Sequence, residues 1–583
     1  MSDRVSRKNR IKDFADWADF SVLGTAVLLL IPLIASLVYL RLGLVRVFYP
    51  YALDLVEEAM LMQAWRVAQG LPVFVPPNAE FVPQVYMPLF TWLGGLLLRL
   101  TGFAFWPLRL ISFLSTVGTA VLISIIGWRE CGNKGVALAG GALFLAGYRL
   151  VGGWYDLARV DALFTFLSLV GMMVLVYGRS PIQKAILGGS LLGLAFLTKQ
   201  NALLLAVAAG FYLFFTAESA EGAEVKQKFV LSRVPMHFAI TFLFVVGLPI
   251  AVLQAGSDGW FRFYVVTIAY ASPLELARFL HILRWDLVAG MGLLLGLWLG
   301  TAVWQLSEIW RRLEIKDSLN PKRIHRFRRL HRLKIIICEN LRINKKNWIY
   351  VVNLQSLISQ NPWLLFGGTA VIISVAGRAT VGGNLNNMIV GYAFLCLAPA
   401  LGLKAWSLQI LQIDKKKSAK SVQFVNKKSY EWLFIAAVLL QFGLALFPLN
   451  PNLPPTYLPT VGMRAAGDTL LAQVTATEGE IWILMHPSYA VMAGKRPTVH
   501  LQSLWHARQR GTDPLPKDVV ALIENQQFAQ IISDESDFFE KEPAFLQLLL
   551  THYEVATVLG DEQSPATLSG PIIRPLTVYV PRR

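Results

Sequence analysis

Residues 20–40 read FSVLGTAVLLLIPLIASLVYL, a run without a charged side chain. A helix needs about 20 apolar residues to cross the hydrocarbon core of a bilayer, so this stretch predicts a transmembrane helix. The segment before it is polar and basic, and the run lacks the small-residue cleavage site of a secretory signal peptide. We therefore expect the N-terminus on the cytoplasmic side of the membrane.

The composition extends this prediction to the whole chain. Of 583 residues, 55% are hydrophobic and 16% are charged, whereas soluble proteins average about 25% charged residues. This excludes a water-soluble globule, a disordered chain and a disulfide-stapled secreted module. The formal net charge of +17 is typical of cytoplasmic loops in a polytopic protein, so we expect no nucleic acid among the partners. The three cysteines lack metal-ligand spacing, which argues against zinc and redox chemistry.

Further apolar stretches continue to residue 448, and charge decides which of them cross the membrane. The tract 311–346 is the strongest cytoplasmic marker, with a nucleic-acid or lipid-headgroup patch as its alternative. An even number of crossings must separate it from a cytoplasmic N-terminus, but nine apolar stretches lie between the two. We expect the short stretch 88–101 to lie along the membrane surface as an amphipathic helix. If the short stretch 185–198 were the one that does not cross, the basic turns near Arg129 and Arg179 would lie on the outer side of the membrane.

The predicted fold is therefore a polytopic α-helical membrane protein with about 11 transmembrane helices. Residues 1–450 form the membrane domain, with a first outer loop at 41–106 and a second at 151–161. After a proline-rich linker, residues 451–583 predict a small α/β domain outside the membrane, with strands near 481–485 and 528–532 and helices near 517–525 and 543–550.

Carboxylates cluster in the outer loops. Asp54, Glu57 and Glu58 lie in the first loop, and Asp156 and Asp161 lie in the second. Acidic side chains at the mouth of a membrane span are costly unless they are hydrated, paired or functional. Acids on two separate loops are candidates for one shared site.

The order of several motifs resembles a known superfamily. Asp54 with Glu57, Tyr86-Met-Pro-Leu89, Arg159-Val-Asp161 and Gly193-Leu-Ala-Phe-Leu-Thr-Lys199 together resemble the polytopic GT-C glycosyltransferases. The resemblance covers about residues 15–450 and is strongest to enzymes that use polyprenyl-phosphate sugars, such as protein O-mannosyltransferases and aminoarabinose transferases. The segment Gly382-Gly-Asn-Leu-Asn-Asn387 is also similar to bacterial members. The chain departs from the common Tyr-Pro-Pro-Leu and Lys-Gly-Pro forms of two of these motifs.

The resemblance implies transfer of a sugar from a polyprenyl-phosphate carrier to an acceptor on the outer face of the membrane. Asp54 matches the catalytic acid of the first loop and would act as general base, with Glu57 as the adjacent catalytic candidate. Asp161 would orient the acceptor or, together with Asp54, help to hold a divalent cation such as Mg²⁺ or Mn²⁺. The alternatives are solvated acids at a helix N-terminus for Asp54 and Glu57, and a surface ion pair between Arg159 and Asp161.

Substrate binding falls to a second set of residues. Lys199 and Arg378 are candidates for the carrier phosphate, and Asn384 and Asn387 for the sugar or phosphate. For Lys199 the alternative is a snorkelling lysine, and for the asparagine segment a tight turn. The remaining candidates for substrate contact are Tyr86, Asp156 and Arg159.

Two further classes of protein stay open from the sequence. A polytopic transporter or lipid flippase has a similar composition, and a non-catalytic scaffold could keep the fold alone. We expect a multi-pass protein of the cytoplasmic (inner) membrane, with membrane lipids as partners and a glycan, lipid or protein as acceptor. His486 and His500 have no triad pattern around them and are predicted to be core or loop residues.

Overall fold

The computed structural model describes residues 22–218, 225–319, 358–416, 427–454, 456–509, 511–534 and 542–583. The N-terminal basic segment lies outside these residues, and so does the basic tract 311–346 from position 320 onward.

Helices make up most of the chain before residue 447. In chain order they are α1 (Val22–Val47), α2 (Leu55–Ala68), α3 (Leu89–Thr101), α4 (Trp106–Cys131), α5 (Lys134–Ala146), α6 (Val160–Tyr177), α7 (Pro181–Thr198), α8 (Ala202–Glu218), α9 (Val225–Ala255), α10 (Leu276–His281), α11 (Gly290–Leu319), α12 (Pro362–Ala379), α13 (Met388–Leu395), α14 (Ala398–Lys416) and α15 (Lys427–Leu446). A single α-helical turn occupies Trp260–Arg262, wider π-helical turns occupy Phe263–Ile268 and Ile282–Ala289, and a 3-10 turn occupies Leu385–Asn387.

The chain is a multi-pass α-helical membrane protein, as predicted. Within the described residues, eight helices are long and apolar enough to cross a bilayer. They are Leu23–Val47, Trp106–Cys131, Val160–Tyr177, Pro181–Thr198, Arg233–Ala255, Leu276–Ile309, Pro362–Ala379 and Leu385–Leu408. The shorter apolar helices are Leu89–Thr101, Lys134–Ala146, Ala202–Thr216 and Trp432–Leu446. A total of about eleven spans requires all of these except Leu89–Thr101 to cross, and it stays a prediction.

In the first outer loop, α2 packs closely against α3. Gly95 permits this approach, because a Cβ at this position would lie 2.5 Å from Val67 Cγ1 and 2.9 Å from the carbonyl oxygen of Ala64. Leu96 and Leu100 on α3 are exposed. A helix with one packed face and one leucine-rich outer face suits the membrane surface.

The C-terminal part contains a four-stranded sheet with helices, which confirms the predicted α/β class. Its elements are α16 (Val461–Ala476), β1 (Glu480–Ile483), α17 (Ser488–Met492), α18 (Leu501–Ala507), α19 (Lys517–Glu524), β2 (Phe528–Asp534), α20 (Pro543–His552), β3 (Tyr553–Val558) and β4 (Pro575–Pro581). The strand order is β1-β2-β4-β3, with β1 parallel to β2 and β4 antiparallel to both of its neighbours. The sequence prediction missed β3 and β4. Beyond Tyr553, β3 is exposed throughout, so it lacks the alternation that reveals a half-buried strand.

Candidate active site

A cavity of about 1360 Å³ lies where the two predicted outer loops, the segment after α12 and the C-terminal part meet. The predicted site residues that line it are Asp54, Tyr86, Arg159, Lys199, Arg378, Asn384 and Asn387. Asp161 borders a small adjoining recess that shares Lys199, Asn386 and Asn387 with the cavity. Glu57 and Asp156 are not among the residues that line either space.

Asp54 caps the N-terminus of α2, a position that favours aspartate. Its Oδ2 accepts hydrogen bonds from the backbone N–H of Val56 at 3.1 Å and from Nη1 of Arg159 at 3.0 Å. Its Oδ1 is buried and has no hydrogen-bond partner among the described residues. Burial raises the pKa of Asp54 to about 6, with Arg159 opposing the rise and Glu57 adding to it. This carboxylate is therefore ionised at neutral pH, yet basic enough to take a proton.

Residues 567–571, which we call the C-terminal strap, cover Asp54. The backbone N–H groups of Leu568 and Ser569 donate to the carbonyl oxygen of Leu53 at 3.0 and 2.9 Å. Gly570 has a φ of +72°, and a Cβ on it would lie 2.9 Å from Asp54 Oδ1. Glycine thus lets the strap run directly against the carboxylate.

Glu57, the second catalytic candidate of the first loop, does not line the cavity. It is fully buried, and Arg109 donates to both of its oxygens, from Nε at 2.8 Å and from Nη2 at 2.7 Å. The backbone N–H groups of Leu53 and Ala158 donate to the same carboxylate at 2.8 and 2.6 Å. Burial favours the protonated form, but Arg109 and these bonds outweigh it and lower the pKa of Glu57. Glu57 therefore ties the residue before Asp54 to the residue before Arg159.

Asp156 likewise lies away from the cavity, contrary to the expectation of substrate contact. Its Oδ2 accepts a hydrogen bond from Nε of Arg46 at 2.6 Å, and both side chains are buried. Arg46 also donates to the carbonyl oxygens of Gly153 and Tyr457. This ion pair joins the end of α1, the second loop and the linker after α15. Arg46 and Arg109 were not predicted as site residues, although each is an arginine near the end of an apolar helix, which is a detectable signal.

Arg159 connects the two aspartates of the predicted site. Its Nη1 lies 3.0 Å from Asp54 Oδ2, and its Nε lies 3.7 Å from Asp161 Oδ2. Its Nη2 donates to the Tyr86 hydroxyl at 2.9 Å, and its guanidinium carbon lies 4.5 Å from the centre of the Trp154 ring. With 5% of its surface exposed, Arg159 forms a buried bridge instead of the surface pair that was the alternative.

Asp161 opens α6 and anchors a second group of polar side chains. It accepts hydrogen bonds from Nζ of Lys199 at 2.6 Å and from Nδ2 of Asn386 at 3.1 Å to each oxygen. Lys199 also donates to Oδ1 of Asn387 at 3.0 Å. Asn386 was missed, although it lies inside the Gly382–Asn387 segment that the sequence had already marked.

Arg378 and Asn384 also line the cavity, but their hydrogen bonds are to residues other than the two aspartates. Arg378 donates from Nε to Asp286 at 3.1 Å and from Nη1 to the carbonyl oxygen of Gly383 at 2.8 Å. Asn384 Oδ1 accepts from the backbone N–H of Leu385 at 2.8 Å. Asn384 thus shapes the turn at the start of the 3-10 segment and is also one of the residues that line the cavity.

His486 and His500 are both buried, but the acids around His486 were not foreseen. Its Nδ1 lies 3.3 Å from Glu58 Oε1, and its Nε2 lies 2.9 Å from Asp534 Oδ1. Ser488 Oγ donates to Glu58 at 3.0 Å. In a catalytic triad the serine hydroxyl would instead be hydrogen-bonded to the histidine. Neither acid is close to His486 in sequence, so their meeting depends on the fold.

The aspartates do not form a ligand set that suits a divalent cation. Asp161 uses both oxygens on Lys199 and Asn386, and it shares Arg159 with Asp54, so two cationic side chains already balance two carboxylates. No cluster of three or more metal-ligating side chains occurs in the described part of the chain, whereas Mg²⁺ and Mn²⁺ prefer several oxygen ligands.

Comparison with solved structures identifies the architecture. ArnT from Cupriavidus metallidurans in the apo state aligns with 94% of this chain and 97% of its own, with a TM-score of 0.52 and 13% identity. The chain has the GT-C fold. The same ArnT bound to undecaprenyl phosphate gives a TM-score of 0.49 at 12% identity, over 94% and 97% of the two chains. The Archaeoglobus fulgidus oligosaccharyltransferase in the apo form gives 0.47 at 11% identity, over 91% and 73%.

One sequence family also matches part of this chain. The family described as dolichyl-phosphate-mannose-protein mannosyltransferase matches residues 82–248. The matched part of the GT-C fold contains Tyr86, Arg159, Asp161 and Lys199, whereas Asp54 precedes it. Comparison with curated protein sequences gives no match.

Proposed function

We propose that this GT-C protein is a glycosyltransferase that moves a sugar from a polyprenyl-phosphate carrier to an acceptor on the outer face of the cytoplasmic membrane. One observation carries the proposal. Asp54 presents a buried carboxylate oxygen without a hydrogen-bond partner among the described residues, beside a large cavity that also contains Lys199 and Arg378. A base and cationic groups in one cavity are what displacement of a phosphate from an anomeric carbon requires.

Asp54 acts as the general base. The acceptor hydroxyl gives its proton to Asp54, and its oxygen forms a bond to the anomeric carbon of the sugar. The bond between that carbon and the phosphate oxygen breaks, and the lipid phosphate leaves with the electron pair. Arg159, held between Asp54 and Asp161 and against Trp154, keeps Asp54 in place.

Lys199 and Arg378 bind the carrier phosphate. The ammonium of Lys199 has three N–H donors, and its contacts with Asp161 and Asn387 use two of them. The guanidinium of Arg378 offers a fork that matches phosphate oxygens. Positive charge at this end of the cavity stabilises the leaving group as its negative charge develops.

The direction of the helices supports an outward-facing cavity. The basic turns with Arg129 and Lys134, and with Arg179 and Lys184, join α4 to α5 and α6 to α7. Asp161 and Lys199 lie at the opposite ends of α6 and α7, and each of these helices has 18 residues. A helix of this length spans about 27 Å, close to the thickness of the hydrocarbon core. With the basic turns in the cytoplasm, the cavity opens outside.

Replacing Asp54 by asparagine tests the proposal. Cells that lack the gene are complemented with the wild type, with Asp54→Asn or with Glu80→Gln, an exposed carboxylate of the same loop. Mass spectrometry then measures lipid-linked sugars and envelope glycans. Since general base catalysis contributes about 10²- to 10⁴-fold, Asp54→Asn should accumulate the lipid-linked sugar and lack the modified glycan. Glu80→Gln should match the wild type.

Two outcomes contradict the proposal. A scaffold is indifferent to Asp54→Asn, so a wild-type profile in this variant argues for a non-catalytic protein. A transporter or flippase changes the distribution of a lipid or solute without a new glycosidic bond. Loss of flux of an unmodified substrate would therefore favour that class.

A further inference from the structure

We infer that the wall of the cavity formed by the C-terminal part is an acceptor subsite for a neutral carbohydrate chain. The inference deepens the proposed glycosyl transfer and rests on it. It concerns α18, which contributes Gln502, Trp505 and His506 to the lining of the cavity.

Helix α18 is held against the loop that bears the proposed base. Gln84 donates from Nε2 to Ser503 Oγ at 2.8 Å, and the backbone N–H of Gln84 donates to Gln63 Oε1 at 2.9 Å. Gln84 lies two residues before Tyr86, which also lines the cavity. The wall formed by α18 therefore has a defined position relative to the first outer loop.

The aspartate, lysine and arginine side chains of the lining all come from the membrane part of the chain. Arg159, Lys199, Arg278 and Arg378, as well as Asp54, come from the membrane part. The lining residues from the C-terminal part are Gln502, Trp505, His506 and Pro571, without an aspartate, glutamate, lysine or arginine. A phosphorylated or acidic acceptor gains no permanent counter-charge from this wall, whereas a neutral acceptor needs none.

Aromatic and amide side chains suit a sugar. Tryptophan offers a broad apolar ring with a polar N–H edge, and glutamine offers both a donor and an acceptor. A pyranose ring has the same combination, with an apolar C–H face and a rim of hydroxyl groups. Trp505 and Gln502 are both partly exposed, so they can contact a ligand without a rearrangement of the core.

Two oxygen atoms in the lining lack a hydrogen-bond donor among the described residues. Asp54 Oδ1 and Gln502 Oε1 are buried and have no hydrogen-bond partner among the described residues. Buried polar atoms are normally hydrogen-bonded, and both of these atoms are acceptors. A carbohydrate supplies O–H donors to both positions, with the reacting hydroxyl at Asp54 and a second hydroxyl at Gln502.

The size of the cavity agrees with two bound substrates. Small-molecule sites usually measure about 300–1,000 Å³, and this cavity measures about 1360 Å³. The space exceeds what a single sugar phosphate occupies. The remainder accommodates acceptor residues beyond the one that reacts.

Binding measurements on the full-length protein in nanodiscs test the inference. The probes are undecaprenyl phosphate, neutral tetrasaccharides of glucose, mannose and N-acetylglucosamine, a phosphorylated tetrasaccharide and a serine- and threonine-rich peptide. The variants are Trp505→Ala, Trp505→Phe, Gln502→Leu and, as a control on the exposed face of α20, Gln547→Leu.

We expect at least one neutral tetrasaccharide to bind the wild type. Trp505→Ala should weaken its binding about tenfold, a loss of about 1.4 kcal/mol, whereas Trp505→Phe keeps an aromatic face and should stay within about threefold. Gln502→Leu should weaken binding and Gln547→Leu should not. The affinity for undecaprenyl phosphate should stay within about twofold in all four variants, which shows that they are folded.

The other outcomes overturn the inference in distinguishable ways. Binding of only the phosphorylated sugar or only the peptide rules out a neutral carbohydrate, and tetrasaccharide binding that is indifferent to Trp505→Ala rules out this subsite. If undecaprenyl phosphate binds but no other probe does, the acceptor assignment fails while the proposed function stands. If undecaprenyl phosphate does not bind either, the proposed function fails as well.

Discussion

Asp54 combines burial with a single bridging cation, and this combination sets its acidity. Burial raises its pKa to about 6, although Arg159 opposes the rise. A general base must be ionised to act, so kcat/KM should be constant well above pH 6 and fall about tenfold per unit below it. The pH profile of purified enzyme, with lipid-linked donor extracted from cells that lack the gene, measures this. The residual activity of Asp54→Asn should show no inflection near pH 6. If kcat/KM of the wild type begins to fall only below about pH 4.5, Asp54 is excluded as the titrating group.

The C-terminal strap is the element that closes the cavity over Asp54, and Gly570 is its closest point. Gly570→Ala should lower the transfer rate about 10- to 100-fold, because the new Cβ would lie 2.9 Å from both Asp54 Oδ1 and the Trp154 ring, which packs on Arg159, so that Asp54 or its partner Arg159 must shift. Gly494→Ala is a matched control. Gly494 has a φ of +73° but nothing within 4 Å of a Cβ, so it carries the same backbone strain in open space. Activity assays should separate the two variants, and equal losses would show that strain alone explains the effect.

At the scale of the whole molecule, His486 links the two parts of the chain through Glu58 and Asp534. Burial opposes its protonation, but Asp534 and then Glu58 outweigh burial and raise the pKa of His486 to about 10. Because this pKa exceeds the ordinary value of 6.5, the stabilisation is complete below pH 6.5 and is lost as the pH rises through 10. The unfolding temperature of the wild type should therefore fall relative to that of His486→Gln between pH 7 and pH 10, by at least about 3 °C. His552→Gln, at the end of α20, should follow the wild type, and parallel curves for wild type and His486→Gln would disprove the link.

Local sequence properties determined the class of the fold and many of the residues that line the cavity. Free energies of transfer into a bilayer add along the chain, so apolar runs and basic turns predict spans and their direction without knowledge of contacts. The same holds for Lys199, because a charged group at the end of an apolar helix is costly wherever it packs, and Asp54 was marked by the cluster of acids in its loop. These residues, with Arg159 and Arg378, do line one cavity.

Only the tertiary structure decided which charges face the cavity and which hold it together. Glu57 and Glu58 look alike in sequence, yet one binds Arg109 and the other lies beside His486, more than 400 positions away. Asp156 turns to Arg46 instead of the cavity, and the strap arrives at Leu53 from the far end of the chain. The energy of a buried ion pair or a close backbone approach depends on distances between separate segments, and local sequence does not contain those distances.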